Sequence, residues 1–145
     1  MTSPRPHRLV YLLSVAQRRV QRAVAASSVD AVPPAQAGLL FVLSRQDGAL
    51  MGEAGAALDL GPAGISGLVD RMAAACLVER RPDPNDARAS RVYLTAKGRK
   101  ALVGARDVAH ETNARLMEGF SAQEIDIVAR WLTSIQSKFS RGDSE

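Results

Sequence analysis

Arg88 and Arg91 stand in the stretch DPNDARASR, residues 83–91, where turn-forming residues give way to strand-like alternation. A guanidinium is charged at any physiological pH and presents N–H donors in a planar fork, which suits it to phosphate and carboxylate oxygens. Asp86, two residues before Arg88, has the character of an Asx-turn residue. Around this loop the positive charge is concentrated: Arg71, Arg80, Arg81, Arg88, Arg91, Lys97, Arg99, Lys100 and Arg106 face only Glu79, Asp83 and Asp86. That local excess of six exceeds the +4 of the whole chain, so the remainder is net negative. Such a cluster serves either a polyanionic partner or a solvated face, and charge alone does not choose.

Other chemistries find little support. Ser, His and Asp occur without a nucleophile elbow, a glycine-rich phosphate loop or paired carboxylates, so no enzyme is expected. His7, His110 and Cys76 are too few and too scattered for a zinc set, and no metal or other cofactor is expected. One cysteine excludes an internal disulfide framework; Cys76 reads as a packing thiol, with a redox role as the lesser alternative. There is no basic-then-apolar leader pattern and no run of about 18 apolar residues, so a cytoplasmic protein without a membrane partner is expected.

The elements that must carry the arginines follow from periodicity. The chain has 145 residues, 46% hydrophobic and 4% aromatic, which suits one domain of packed helices. Leu9, Leu13, Ala16, Val20 and Ala23 recur at steps of four and three, predicting a helix over roughly residues 6–28. Leu102, Ala105, Ala109, Thr112 and Leu116 do the same between Ala96 and Phe120. Ile125, Val128, Leu132, Ile135 and Phe139 repeat the pattern again, after a capping box of Ser121 and Glu124. Narrow seams of this kind close either an intramolecular bundle or a contact with a second chain.

Between these long helices lie shorter elements. Pro33 and Pro34 open a helix over 35–43, which Gln46, Asp47 and Gly48 break; a small helix over 51–59 ends at Leu60 and Gly61; and Pro62 starts another running to about Ala75. A hairpin follows, with strands expected over Leu77–Arg81 and Ser90–Leu94; Arg91 and Tyr93 share one face, Val92 and Leu94 the other. Two helices, a tight turn and a hairpin are the order of a winged helix-turn-helix.

With these residues in view, the sequence resembles the MarR family of bacterial transcription regulators. The resemblance spans most of the chain and is most specific in ISGLVDRMAAACLVERRPDPNDARASRVYLTAKGRKAL, where LVDRM, LVER, DPNDAR and LTAKG match jointly; FSAQEIDIVARWL is similar to the start of the family's last helix. It implies a mainly α fold with a small β-hairpin (α+β): a winged helix-turn-helix over 31–95, flanked by dimerisation helices over 6–30 and 96–140, in a single domain 1–145. It also implies a homodimer built by both chain ends, acting on double-stranded DNA as a regulator, most simply a repressor of a pseudo-palindromic operator.

The residues carried over are these. Pro62, Ala63, Gly64, Ser66 and Gly67 form the end of the recognition helix that meets base edges, and Arg71 reaches phosphate or a guanine edge. Arg88 enters a narrow minor groove, Asp86 shapes the wing loop, and Arg91 meets phosphate or solvent. The small residues of this helix depart from the family's usual polar pattern and predict weak direct readout, so a dimer working through protein contact stays open as the alternative. Ala54 and Gly55 replace a usual Leu-Ala pair, which predicts a loose or short supporting helix. Cys76 replaces the glycine that closes the recognition helix, and either takes a left-handed conformation or ends the helix differently. The family's small aromatic or phenolic effectors would sit near Tyr11, Phe41 and His110.

Overall fold

A computed structural model describes residues 7–27 and 31–140. In chain order the elements are α1 (Leu9–Ala26), α2 (Pro34–Arg45), β1 (Ala49–Leu50), α3 (Met51–Ala57), α4 (Pro62–Ala74), β2 (Val78–Asp83), β3 (Asp86–Leu94), α5 (Ala96–Met117) and α6 (Ala122–Lys138). The outer residues of the expected first helix, 6 and 28, lie outside the described residues, as do the extreme ends of the 1–145 domain and positions 29 and 30 of its first segment.

The core is small and belongs to one lobe. Leu39, Leu40 and Leu43 of α2, Ile65, Leu68, Val69 and Met72 of α4, and Val78, Val92 and Leu94 of the hairpin are all buried together. Leu102 and Ala105 of α5 complete it from below. Their spacing on α4, at steps of three, one and three, is one helical stripe, and the alternation of Val92 and Leu94 puts both on the inner sheet face.

The sheet has three antiparallel strands in the order β1-β3-β2, one more than the sequence predicts. β1 is two residues long, and too short to leave an alternation signal. It forms because Gly48 adopts φ +79 and donates its N–H to the Val92 carbonyl at 2.9 Å, while the Asp47 carboxylate accepts from the Leu94 N–H at 2.8 Å. The wing strands are also longer than expected, reaching Asp83 and Asp86 across a tight turn; the register shifts between the Pro82–Ser90 and Asp83–Asp86 pairs, so Ala87, Arg88 and Ala89 bulge from β3.

Three junctions fix the lobe. At the end of α4, Cys76 takes φ 61; its N–H bonds to the Ala73 carbonyl and that of Leu77 to Met72, both at 2.9 Å, a Schellman closure with Leu77 and Met72 in the core. Of the two conformations left open for Cys76, the left-handed one is adopted, and the thiol expected to be packed in the core is instead exposed, since the core here is closed by Leu77 and Met72. At the end of α3, Asp59 does the same at φ 54, with Leu60 N–H on the Gly55 carbonyl at 2.8 Å. A Cβ on Gly55 would stand 2.9 Å from the Leu60 oxygen, so the glycine is required by the turn between the two helices rather than merely tolerated. The supporting helix is short, seven residues, but closely packed at Ala54 and Gly55, both buried.

The third junction leads into α5. Thr95 caps the helix, its hydroxyl oxygen accepting from the Gly98 N–H at 2.9 Å and its O–H donating to the Cys76 carbonyl at 2.6 Å. Gly98 passes so close to the Leu77 carbonyl that no Cβ fits. α6 begins at the Ser121 and Glu124 capping box, with Glu124 N–H on the serine oxygen at 3.2 Å and Ser121 N–H on the glutamate at 2.8 Å.

The long-helix seams divide. That of α5 is buried at Leu102 and Ala105, but α1 and α6 bury no residue. Leu9, Leu12 and Leu13 of α1, Val128 and Leu132 of α6 and Phe139 at its C-cap are exposed, so these stripes are not closed within one chain.

Candidate nucleic-acid interface

The first four residues of α4 present little chemistry. Gly61 is the N-cap, Pro62 supplies the first turn without an N–H to satisfy, and Pro62, Ala63 and Gly64 are exposed. Ser66 and Gly67 are half-buried behind them. Arg71, exposed, folds back along the helix, with Nη1 3.3 Å from where a Cβ on Gly67 would lie. Glycine at 67 therefore makes room for the guanidinium one turn away.

The wing is tied to this helix by a residue that the motif reading did not single out. Arg80 on β2 shares with Val78 the sheet face turned towards α4, and its Nη2 lies 3.0 Å from Asp70 Oδ1 and 3.4 Å from Ser66 Oγ. Its neighbour Arg81 points to the opposite face, donating to Glu79 at 2.8 Å and lying 4.5 Å over the Tyr93 ring. The pairing with Glu79 holds the Arg81 guanidinium above its ordinary pKa, so it is charged throughout the working range. Strand alternation separates these two arginines, and the packing of the lobe brings Arg80 to α4.

At the wing tip the loop is shaped by its own aspartates. Asp83 accepts from the Asn85 N–H at 3.2 Å, and Asp86 accepts from the Arg88 backbone N–H at 3.0 Å. Asp86 thus contacts the arginine through its main chain and leaves the guanidinium alone. Arg88 is exposed, and its side chain makes no ion pair with the described residues.

Arg91 is placed otherwise. Its Nε lies 3.5 Å from Asp83 Oδ1, whose side chain is only 9% exposed, and its Nη1 donates to the Gly48 carbonyl at 2.9 Å. The half-buried guanidinium joins the wing turn to β1, and both of its engaged edges face inward. Asp83 and Gly48 thus engage the group for which a phosphate or solvent role was expected.

Between α1, α2 and α5 lies a cavity of about 870 Å³, lined by Val20, Val24, Phe41, Leu77 and Val108 among others, with Lys97 and Lys100 also on its wall. Of Tyr11, Phe41 and His110, only Phe41 reaches it. Tyr11 is exposed on α1 with the Arg8 guanidinium 5.0 Å over its ring, and His110 is exposed on α5. The lysines and the valines of α1 were missed because nothing local marks them; the cavity exists only where three helices converge.

Among the described residues no cluster of His, Cys, Asp or Glu suits a metal ion, and no helix is long and apolar enough to cross a membrane.

Residues 32–89 match the family model described as MarR family. The fold is that of solved transcriptional regulators. It is similar to a probable transcriptional regulator from Pseudomonas aeruginosa (25% identity, 88% of this chain and 96% of that one, TM-score 0.82). It is also similar to the transcriptional repressor CouR bound to a 23-mer DNA duplex (28% identity, 88% and 91%, TM-score 0.76). The PcaV transcriptional regulator from Streptomyces coelicolor, solved with its natural ligand, shares the fold (20% identity, 94% and 98%, TM-score 0.79). No curated protein matches the chain in sequence. A helix-turn-helix whose second helix abuts a three-stranded wing, on a scaffold of long helices, defines a winged-helix transcription regulator. Residues 32–89 thus match the MarR family model, and the whole fold is similar to that of solved MarR-family regulators.

Proposed function

We propose that the protein acts in the cytoplasm as a homodimeric repressor that holds a pseudo-palindromic DNA site between its two winged lobes. The observation that carries this is the free guanidinium of Arg88 at the tip of a wing locked to α4 by the Arg80 and Asp70 pair. In this reading residues 31–95 are the DNA-binding lobe and 6–30 with 96–140 the dimerisation region. The open apolar stripes of α1 and α6 support the second copy, since exposed rows of large apolar side chains favour burial against a partner. The repressor CouR, solved on DNA, supports the same direction.

On DNA, α4 lies in the major groove, where Pro62, Ala63, Gly64 and Gly67 allow close approach and Ser66 and Arg71 supply the polar contacts. Arg88 enters the adjacent minor groove, where a narrow A/T-rich path concentrates negative potential. Asp86 keeps the loop in shape by holding the Arg88 backbone. A small aromatic or phenolic acid occupies the cavity beside Phe41, its anionic end towards Lys97 or Lys100, and alters the spacing of the lobes.

The test is fluorescence anisotropy with duplexes from upstream of the protein's own gene and a scrambled control, at two salt concentrations. Wild type prefers the upstream duplex and weakens steeply with salt, as counterion release requires. Arg88→Ala loses about 5- to 100-fold of that affinity, the range for one base-reading arginine. No preference at either salt rejects DNA reading in favour of action through protein contact.

A further inference from the structure

α4 carries one acidic residue, Asp70, and one hydroxyl, Ser66, a single helical turn apart. A guanidinium from another element spans both: Arg80 Nη2 is 3.0 Å from Asp70 Oδ1 and 3.4 Å from Ser66 Oγ. A serine hydroxyl has one hydrogen and two lone pairs, whereas arginine only donates. The contact therefore occupies a lone pair of Ser66 and leaves its hydrogen to be donated elsewhere. By engaging Asp70, Arg80 also draws away the carboxylate one turn along, which would otherwise compete for that hydrogen and repel phosphate.

Resting on the DNA-reading proposal above, we infer that Arg80 is a positioning residue for base recognition: it fixes Ser66 as a hydrogen-bond donor aimed at acceptor edges in the major groove. Those edges are guanine N7 and O6, adenine N7 and thymine O4; cytosine, which offers an amino donor there, is selected against. The role matters because Pro62, Ala63, Gly64 and Gly67 have no side-chain hydrogen-bonding group, so Ser66 is the one side-chain donor at this end of α4. The Arg80 guanidinium, reaching from β2, stays against α4 and contacts no phosphate.

The test selects preferred duplexes from a random pool with the purified full chain, then measures anisotropy against every single-base change at two salt concentrations. Ser66→Ala, Arg80→Gln and the double variant are compared with wild type, with circular dichroism and thermal melts for folding. Arg80→Gln loses discrimination at the same position as Ser66→Ala, by about 3- to 10-fold, as one hydrogen bond allows. The double variant is no worse than either single one, and the dependence on salt is unchanged. Because a single nitrogen of Arg80 makes both contacts, Arg80→Lys, whose ammonium also offers several donors, retains the melting temperature and most of the discrimination.

An Arg80→Gln variant that weakens all duplexes equally and lowers the salt slope by about one contacts phosphate, and overturns the inference. So does one that keeps wild-type discrimination. A wild type that enriches no sequence overturns the DNA-reading proposal, and the role of Arg80 with it.

Discussion

Replacing Cys76 by glycine should make the protein more stable. Cys76 closes α4 at φ 61, a left-handed conformation in which the Cβ of an L-residue crowds its own carbonyl, at about 1–2 kcal/mol. Glycine removes that strain while leaving the backbone bonds to Ala73 and Met72 in place. Against this, glycine gives the unfolded chain more freedom, about 0.4–1 kcal/mol. The balance is a gain of about 0.5–1 kcal/mol, or about 2–4 °C in melting temperature for a chain of this size. The thiol is exposed, so its loss contributes little. Cys76→Ala is the control, because it removes the sulfur but keeps the Cβ; its melting temperature stays at the wild-type value. Both are read by calorimetry in reductant at one protein concentration, since an oligomer's transition depends on concentration. If Cys76→Ala gains as much as Cys76→Gly, sulfur chemistry rather than backbone strain is responsible, and if Cys76→Gly loses stability the strain argument is wrong.

Three further outcomes follow from the same structure. Gly98→Ala improves helix propensity by about 1 kcal/mol, yet drives a methyl into the Leu77 carbonyl; overpacking of about 1–3 kcal/mol wins, and a urea midpoint at or above wild type would refute the close approach. Arg91→Ala leaves the nearly buried Asp83 carboxylate without its cation and destabilises by about 1–3 kcal/mol, whereas Arg88→Ala stays within about 0.5 kcal/mol; equal denaturation midpoints for the two would sink that division of labour. Light scattering of wild type gives about twice the 15.5 kDa chain mass, and Leu132→Glu, a charge on the open stripe of α6, lowers it to the single chain; an unchanged mass excludes that stripe from the interface.

Local rules made much of the fold legible in advance. The helices announced themselves through steps of three and four, Ser121 and Glu124 marked the start of α6, and the alternation of Val92 and Leu94 placed the inner face of the wing. These signals are local because a cap or a stripe is satisfied by residues within one or two turns. The turn just ahead of Arg88 was equally readable, since turn residues state where a chain reverses, although β3 reaches back past Arg88 to Asp86.

Other features depend on residues far apart in sequence. β1 rests on Asp47 and Gly48 meeting a strand more than forty residues later, and no two-residue segment can signal that pairing alone. Arg88 and Arg91 look alike in sequence, but Asp83 and Gly48 turn one inward while the other remains free. Glycine at 55 and 98 looks like a weak helix former until the Leu60 and Leu77 carbonyls are seen against it. The sequence by itself determined the helices, the wing and its charge, because hydrophobic periodicity and turn chemistry act along the chain. Tertiary structure decided which arginine is free, that Arg80 grips α4, and where the cavity opens, because each follows from a contact between elements whose approach is fixed only when the core closes.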